Sequence, residues 1–297
     1  MIARRSDGGY VSLIVLMMAG LLATLAMVLL HLARPSLELS RLGIDELRAD
    51  ALLAAGLGSA GYLLYAAKHE PRSVEAQSLR FAEGSVKLAV SDDGGRVDLN
   101  GSEIALLAGL YSAVGGSSMP SAAFAARVAD WRDADGDVTD GGAEVDDYHT
   151  AGLSYGPRNG PFQSVEELQL LLGLSRADFA RLAPFLTVFN PGGHLDPMFA
   201  ARTTLFAVPK MNKGAADAFL QRRGTGHRDE SWFQAFVGAY SNFLVGEAAQ
   251  SYRVSVVARL ANGYAKAAEA VLIAAPDDKA LYRVVAWQNG PAPERPR

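Results

Sequence analysis

Cysteine is absent from all 297 residues. No disulfide, thiolate metal site or cysteine nucleophile is therefore available, whichever compartment the chain occupies. An exported chain of this kind has its apolar core, and bound metal, to rest on. An excess of positive charge is missing too: 28 Lys and Arg stand against 32 Asp and Glu, a formal net charge of −4. Nucleic acid calls for a concentrated basic surface, so no nucleic-acid partner is expected. Of His31, His69, His149, His194 and His227, none stands in an i, i+4 pair or with a carboxylate at metal spacing on one helix, as helical zinc sites require. His149 lies beside an acidic run and is read as a surface residue.

Polar side chains are also missing near the start, where His31 is the only strongly polar group from Val11 to Ala33. A secretory signal has an apolar core of about 7–15 residues. This run is longer, and at about 1.5 Å per residue it spans a bilayer core of about 30 Å. Arg4 and Arg5 precede it, which favours a cytoplasmic N-terminus and an exported body. Composition alone gives a single-pass signal anchor. Yet the short basic leader ends in Gly8-Gly9, and aromatic Tyr10 leads the apolar run. This resembles the prepilin class of leader, which a dedicated peptidase cuts after glycine. A cut after Gly9 makes Tyr10 the first residue and Ile14 the fifth. Most pilin-like proteins carry a glutamate at that fifth place, and here it is missing.

Beyond the apolar run, Pro35 is expected to bend the helix or start a new one. Residues 37–68 have helical spacing of Leu and Ala. Strands are expected at Leu79–Phe81, Ser85–Val90 and Arg96–Leu99, then again at Tyr252–Arg259, Tyr264–Ala274 and Leu281–Gln288. Between the two groups, short helices are expected over 102–115, 122–131, 165–172, 175–182, 213–222 and 231–237. Ser164 and Ser175 are read as helix caps. The fold class is therefore α+β: a long N-terminal transmembrane and amphipathic helix packed on a pilin-like β-sheet, with a large helical domain inserted between the strands. The expected divisions are a leader at 1–9, a transmembrane helix at 10–33, stem and first strands at 34–100, the inserted helical domain at 101–245, the last strands at 246–290, and a disordered tail at 291–297.

Four stretches in order, GGRVDLNGSEIALLAGLYSAVG, VADWRDADGDVTDGGAEVDDY, NGPFQSVEELQLLLGLSRADFARLAPFLTVFNP and SYRVSVVARLANGYAKAAEAVLIA, resemble the K-type minor pseudopilins of type II secretion systems. The family usually carries an Asn-x-Asn segment after the third stretch; His194-Leu195-Asp196-Pro197 stands there instead. The resemblance implies a non-enzymatic subunit that caps the tip of a periplasmic pseudopilus. Its bulky helical domain blocks further addition, and it needs no glutamate at Ile14 because no subunit lies ahead of it. Implied partners are two other minor pseudopilins, the prepilin peptidase, the inner-membrane secretion platform and the lipid bilayer. The implied location is the inner membrane, single pass, with the body periplasmic. A minor pilin of another type IV-like filament remains an alternative.

Asp133, Asp135, Asp137 and Glu144 occupy places 1, 3, 5 and 12 of an EF-hand-like frame. Place 6 wants glycine and holds Val138, and no helix is expected after Glu144, so a calcium loop of another geometry is read here. Asp140 joins the candidate ligands; Asp130, Asp146 and Asp147 are weaker ones. Hard cations take about 6–8 oxygen ligands, and six crowded acids repel one another unless neutralised. The family resemblance also implies calcium, in a structural role. Two other signals mislead. Gly152-Leu153-Ser154-Tyr155-Gly156 matches the nucleophile elbow, which would make the chain a signal-anchored periplasmic serine hydrolase, but it lies in evident loop. Residues 169–184 look like a helix-hairpin-helix, yet Arg176 and Arg181 are ringed by acids, which favours a structural or docking role.

Overall fold

The computed structural model describes residues 8–74, 77–190, 192–224, 230–246, 251–275 and 280–290. The readings on Arg4 and Arg5, the His31 side chain, His227, the turn at 276–278 and the tail lie outside the described residues. Helix α1, Gly8–Gly61, is the first element of the described residues. It runs unbroken through Pro35, where a kink or restart was expected. Its segment Tyr10–Leu29 is apolar, long enough to cross a membrane and unburied by the rest of the protein. The second half packs on a sheet through Leu52, Leu53, Leu57, Ala60 and Leu64, the 3–4 spacing of one helix face. The last turn widens at Tyr62–Ala66 and stops at Lys68, whose φ is +55°. A single turn, α2 (Pro71–Val74), follows.

The sheet has five antiparallel strands: β1 (Ser78–Phe81), β2 (Gly84–Asp92), β5 (Ser251–Leu260), β6 (Ala265–Ala274) and β7 (Tyr282–Asn289), in that spatial order. Alternation decides which face meets α1. Val86, Leu88 and Val90 pair with Ala258, Val256 and Val254 and point at the helix, while Lys87 and Ser91 point away. Lys266 binds Glu46 at 3.2 Å and Asp50 at 2.7 Å, tying the β5–β6 hairpin to the stem.

Between β2 and β5 lies the helical body, with a core of its own around Leu107, Leu110, Tyr111, Phe124, Trp131 and Tyr148. It holds α3 (Ile104–Ala113), α4 (Ser121–Arg132), α5 (Val145–Thr150), α6 (Arg176–Leu182), α7 (Arg202–Ala207), α8 (Lys213–Gly224) and α9 (Glu230–Ala239). Two short strands, β3 (Val97–Asp98) and β4 (Leu186–Thr187), pair in parallel. Asp98 joins three segments: its carboxylate accepts N–H bonds from Asn100 (2.7 Å), Gly101 (2.8 Å) and Asn190 (2.7 Å). Asn100 in turn exchanges two hydrogen bonds with the backbone of Phe162.

Two expectations need correction. Helices α5 and α7 were not foreseen, because six-residue helices are too short to show an apolar period. Ser164 caps nothing, since the turn at Val165–Leu170 is 3₁₀ and makes no bond to its hydroxyl. Ser175 does cap α6, accepting from the Asp178 N–H at 3.1 Å.

Two substitutions test this architecture. A Cβ on Gly109 would lie 2.0 Å from the Ala207 carbonyl oxygen, so α3 and α7 touch backbone to backbone. Gly→Ala inside a helix ordinarily stabilises by up to about 1 kcal/mol. Gly109→Ala is expected to reverse that sign and cost about 2–3 kcal/mol, read as a lowered Tm. Asp178, fully buried, accepts from the Tyr111 hydroxyl (2.6 Å), the Ser117 N–H (3.0 Å), and both the N–H (2.7 Å) and hydroxyl (2.5 Å) of Ser118. Although burial raises its pKa, these donors outweigh it and hold Asp178 far below the carboxylate range. Its stabilisation is therefore present above pH ~4 and lost as pH falls toward the depressed value. Asp178→Asn should cost about 3 kcal/mol at neutral pH and flatten the acid limb of a Tm–pH curve below pH 4.

Candidate functional site

Helix α4 ends at Arg132, and the acidic loop begins in extended backbone at Asp133. Asp130, fully buried in the last turn of α4, closes the loop from beneath. Its carboxylate accepts the Ala143 N–H at 2.8 Å and the Thr139 N–H at 3.2 Å. Contrary to expectation, a helix does follow Glu144. In α5, Glu144 and Asp147 form a reciprocal capping box, with the Glu144 N–H donating to Asp147 Oδ2 at 2.9 Å. The spacing of Glu144 and Asp147 was the signal that could have revealed it. Two helices thus flank the loop that runs from Asp133 to Glu144.

Of the five predicted ligands, Asp133 and Glu144 turn inward. Asp135, Asp137 and Asp140 are exposed, and Asp135 Oδ1 accepts the Asp137 N–H. Three buried oxygens at this place have no hydrogen-bond donor: Asp133 Oδ1, Glu144 Oε1 and Asn159 Oδ1. Burial pushes Glu144 up first, then the Asp130 and Asp133 charges; the Val145 N–H and the Asn159 carboxamide pull the other way. Asp133 is likewise raised by burial, then by Asp135 and Asp130, with Arg132 opposing. Asn159 sits at φ +52° and donates through Nδ2 to the Asp135 carbonyl at 2.9 Å. Asn159 was missed because it lies far along the chain in a stretch without any periodic signal, and Asp130 was given too little weight.

Among the described residues, no group of three or more His, Asp or Glu side chains stands close enough to hold a metal as found. The donor set nonetheless suits a hard cation: it is all oxygen, carries uncompensated negative charge and has lone pairs aimed inward without donors. Asp130, Asp133, Glu144 and Asn159 are the residues that would hold it.

The remaining candidates stand apart. Ser154 lies in loop after α5, with no strand before it and no helix directly after, so the nucleophile-elbow geometry is missing there. His149 is exposed on α5, and the His194 ring bonds the Gly192 carbonyl at 2.6 Å. In the hairpin at 165–182, Gly173 makes the turn at φ +74°, and Arg181 binds the Gly115 carbonyl and Asp178. Its charge serves the fold. Gly9 lies in the first turn of α1, and Tyr10 and Ile14 are exposed along it.

Residues 87–191 match the family model for type II secretion system protein K. A curated relative, the type II secretion system protein K of Pseudomonas aeruginosa, is 29% identical over 151 residues; the match spans 48% of this chain and 45% of the relative's length. Among solved structures, a chain of the GspK-GspI-GspJ complex from the enterotoxigenic Escherichia coli type 2 secretion system superposes with a TM-score of 0.62. It covers 85% of this chain and 99% of that one at 13% identity, a likeness of fold. Residues 87–191, which hold the Asp98 hub and the acidic loop, are thus the part of the chain that matches type II secretion system protein K.

Proposed function

We propose that this chain is a minor pseudopilin that caps the tip of the periplasmic pseudopilus of a type II secretion system, initiates its assembly and supports protein export. The observation that carries the reading is the K-family body of residues 87–191 set on a stem whose first twenty apolar residues, Tyr10–Leu29, are left unburied. Such a segment suits a lipid bilayer before assembly, with the body periplasmic. Two other minor pseudopilins are the proposed partners. The superposed Escherichia coli chain comes from a complex named for GspK, GspI and GspJ. Ile14, where pilin-like chains carry glutamate, supports the tip position, because the leading subunit has no neighbour ahead whose amine it must neutralise. The role is structural and requires no catalytic group. The prepilin peptidase would cut after Gly9 and leave Tyr10 as a methylated terminus, and the inner-membrane platform would receive the chain.

Calcium is the proposed ligand of the acidic loop. Asp130, Asp133, Glu144 and Asn159 would hold it, with the exposed Asp135, Asp137 and Asp140 as outer carboxylates. A bound cation would neutralise the crowded charge and pin the loop, a service that disulfides cannot render in this chain.

The reading is tested by the N-terminal mass of membrane-extracted protein, with and without prepilin peptidase. A peptidase-dependent start at Tyr10, together with co-purification of two minor pseudopilins, is expected; an unprocessed Met1 in both strains would sink it. Calcium at a hundred times its Kd stabilises by about 2.7 kcal/mol, so chelation should lower Tm by about 5–10 °C. Asp133→Asn combined with Glu144→Gln should remove that calcium response, measured by thermal unfolding with added calcium or chelator.

A further inference from the structure

Two routes lead from the acidic loop to one turn, residues 98–102, just after β3. The first is Arg132, the last residue of α4 and the neighbour of Asp133. Its Nη1 donates to the carbonyls of Leu99 at 2.8 Å and Ser102 at 3.0 Å. The second begins at Asn159, which meets the loop at the Asp135 carbonyl (2.9 Å) and at the Glu144 side chain. From there the chain returns to the same turn. The Gly160 N–H donates to the Trp131 carbonyl at 3.2 Å, and the Phe162 ring stacks on Trp131 with centroids 5.7 Å apart. Asn100, within the turn, then takes the Phe162 N–H at 2.7 Å and donates to the Phe162 carbonyl at 3.0 Å.

The routes together make a ring: turn 98–102, Arg132, Asp133 and the loop, Asn159, Phe162, and Asn100 back in the turn. The turn is well fixed. Asp98 takes two of its N–H groups, and the Ser102 hydroxyl accepts the Asp98 N–H at 3.0 Å while donating to the Gly193 carbonyl at 2.8 Å. The segment 158–163 is fixed as well, because Glu167 pairs with Arg158 and accepts the Gln163 N–H at 2.7 Å. Within it Asn159 keeps φ at +52°, a left-handed conformation uncommon outside glycine that asparagine tolerates. The weak section of the ring is the loop. There the buried oxygens Asp133 Oδ1, Glu144 Oε1 and Asn159 Oδ1 have no donor, and the charges of Asp130, Asp133 and Glu144 oppose one another.

We propose that turn 98–102 positions the cation site, with Asn100 setting Asn159 through Phe162, Arg132 setting Asp133, and a bound cation fastening the loop between them. The inference rests on the calcium reading above and concerns what governs that site. Asn100 is a positioning residue: it is bonded to Phe162 rather than to a proposed ligand, and it carries no charge, so it acts on the site through geometry alone. Coupling of this kind is reciprocal. An intact turn raises affinity for the cation, and the cation in turn protects the turn. The effect reaches further, since the Leu99 N–H donates to the Thr187 carbonyl at 2.9 Å and the Asn190 N–H to Asp98 at 2.7 Å. The Thr187 hydroxyl donates to Asp93 at 2.6 Å, where the body meets the sheet. Calcium in the surroundings would thus stiffen the attachment of the body to the sheet.

Calcium titration calorimetry on the full chain in detergent tests the coupling. Asn100→Ala should raise the Kd for calcium at least tenfold, within the ordinary range of such couplings. Gly109→Ala, an uncharged destabilising change at the Ala207 contact, should leave the Kd within twofold of the wild type. Equal effects in the two variants would mark Asn100 as merely structural and overturn the proposal. A second measurement needs no variant to fold. In wild-type amide hydrogen exchange, calcium in place of chelator should slow Leu99, Gly160, Phe162 and Asn190 at least tenfold. Slowing confined to Thr139 and Ala143, the amides held by Asp130, overturns the ring and leaves the calcium reading standing. A wild type that binds no calcium sinks both.

Discussion

The pairing of β2 with β5 governs this molecule. The two strands run side by side from Gly84 opposite Leu260 to Asp92 opposite Tyr252, yet the helical body lies between them in sequence. Neighbouring strands stand about 4.8 Å apart, so the body must leave and re-enter the sheet through two adjacent chains. That ladder closes a long loop, a cost that grows only slowly with loop length, which is why so large an insertion is tolerated. The body then relies on a core separate from that of the sheet. Its attitude is set by a few polar contacts at the neck: Asp93 with Arg253 and the Thr187 hydroxyl, Arg96 with the Pro184 carbonyl, and Gly94 with Asp196.

Much of the sheet and stem was legible because both obey strong periods. The alternation through Val86, Leu88 and Val90, and again through Val254, Val256 and Ala258, could belong only to strands with one buried face. The leucine spacing of the stem located its buried side just as directly. What escaped was short or local. Helices α5 and α7 have no room for a period, and the continuity of α1 through Pro35 follows from the length of helix on either side rather than from the local preference of proline. The parallel pair β3–β4 is two residues long and depends on the Asp98 hub, whose partner Asn190, and the Phe162 backbone held by neighbouring Asn100, lie far away in sequence.

The site was half legible. A run of alternating acids announced an oxygen-rich centre, and Asp133 and Glu144, the first and last of the frame, do turn inward. The other acids of the frame stand apart from that inward pair: Asp135 uses one oxygen to hold the Asp137 N–H and is exposed with it. Asp130 was undervalued because a helical residue one turn before a loop seems to belong to the helix. In fact it organises the loop through the N–H groups of Thr139 and Ala143. Asn159 could not be found by spacing at all, since a tertiary approach, not a motif, brings it beside Glu144.

Comparison with the other buried acids of this chain gives the loop its meaning. Asp178 gathers four donors on one oxygen and an arginine on the other, Asp98 gathers three backbone N–H groups, and Asp93 lies in the fork of Arg253. The protein thus has ample means of satisfying a buried carboxylate without disulfides, using serine, tyrosine, arginine and the backbone. An unpartnered buried polar atom costs about 1–3 kcal/mol, and three such oxygens at one place are a concentrated deficit. At Asp133, Glu144 and Asn159 the deficit is spread over three side chains with several more acids at the rim, too much charge for a proton to neutralise and the right kind for a divalent cation. Counting lone pairs and donors, rather than matching any motif, is what sets this loop apart.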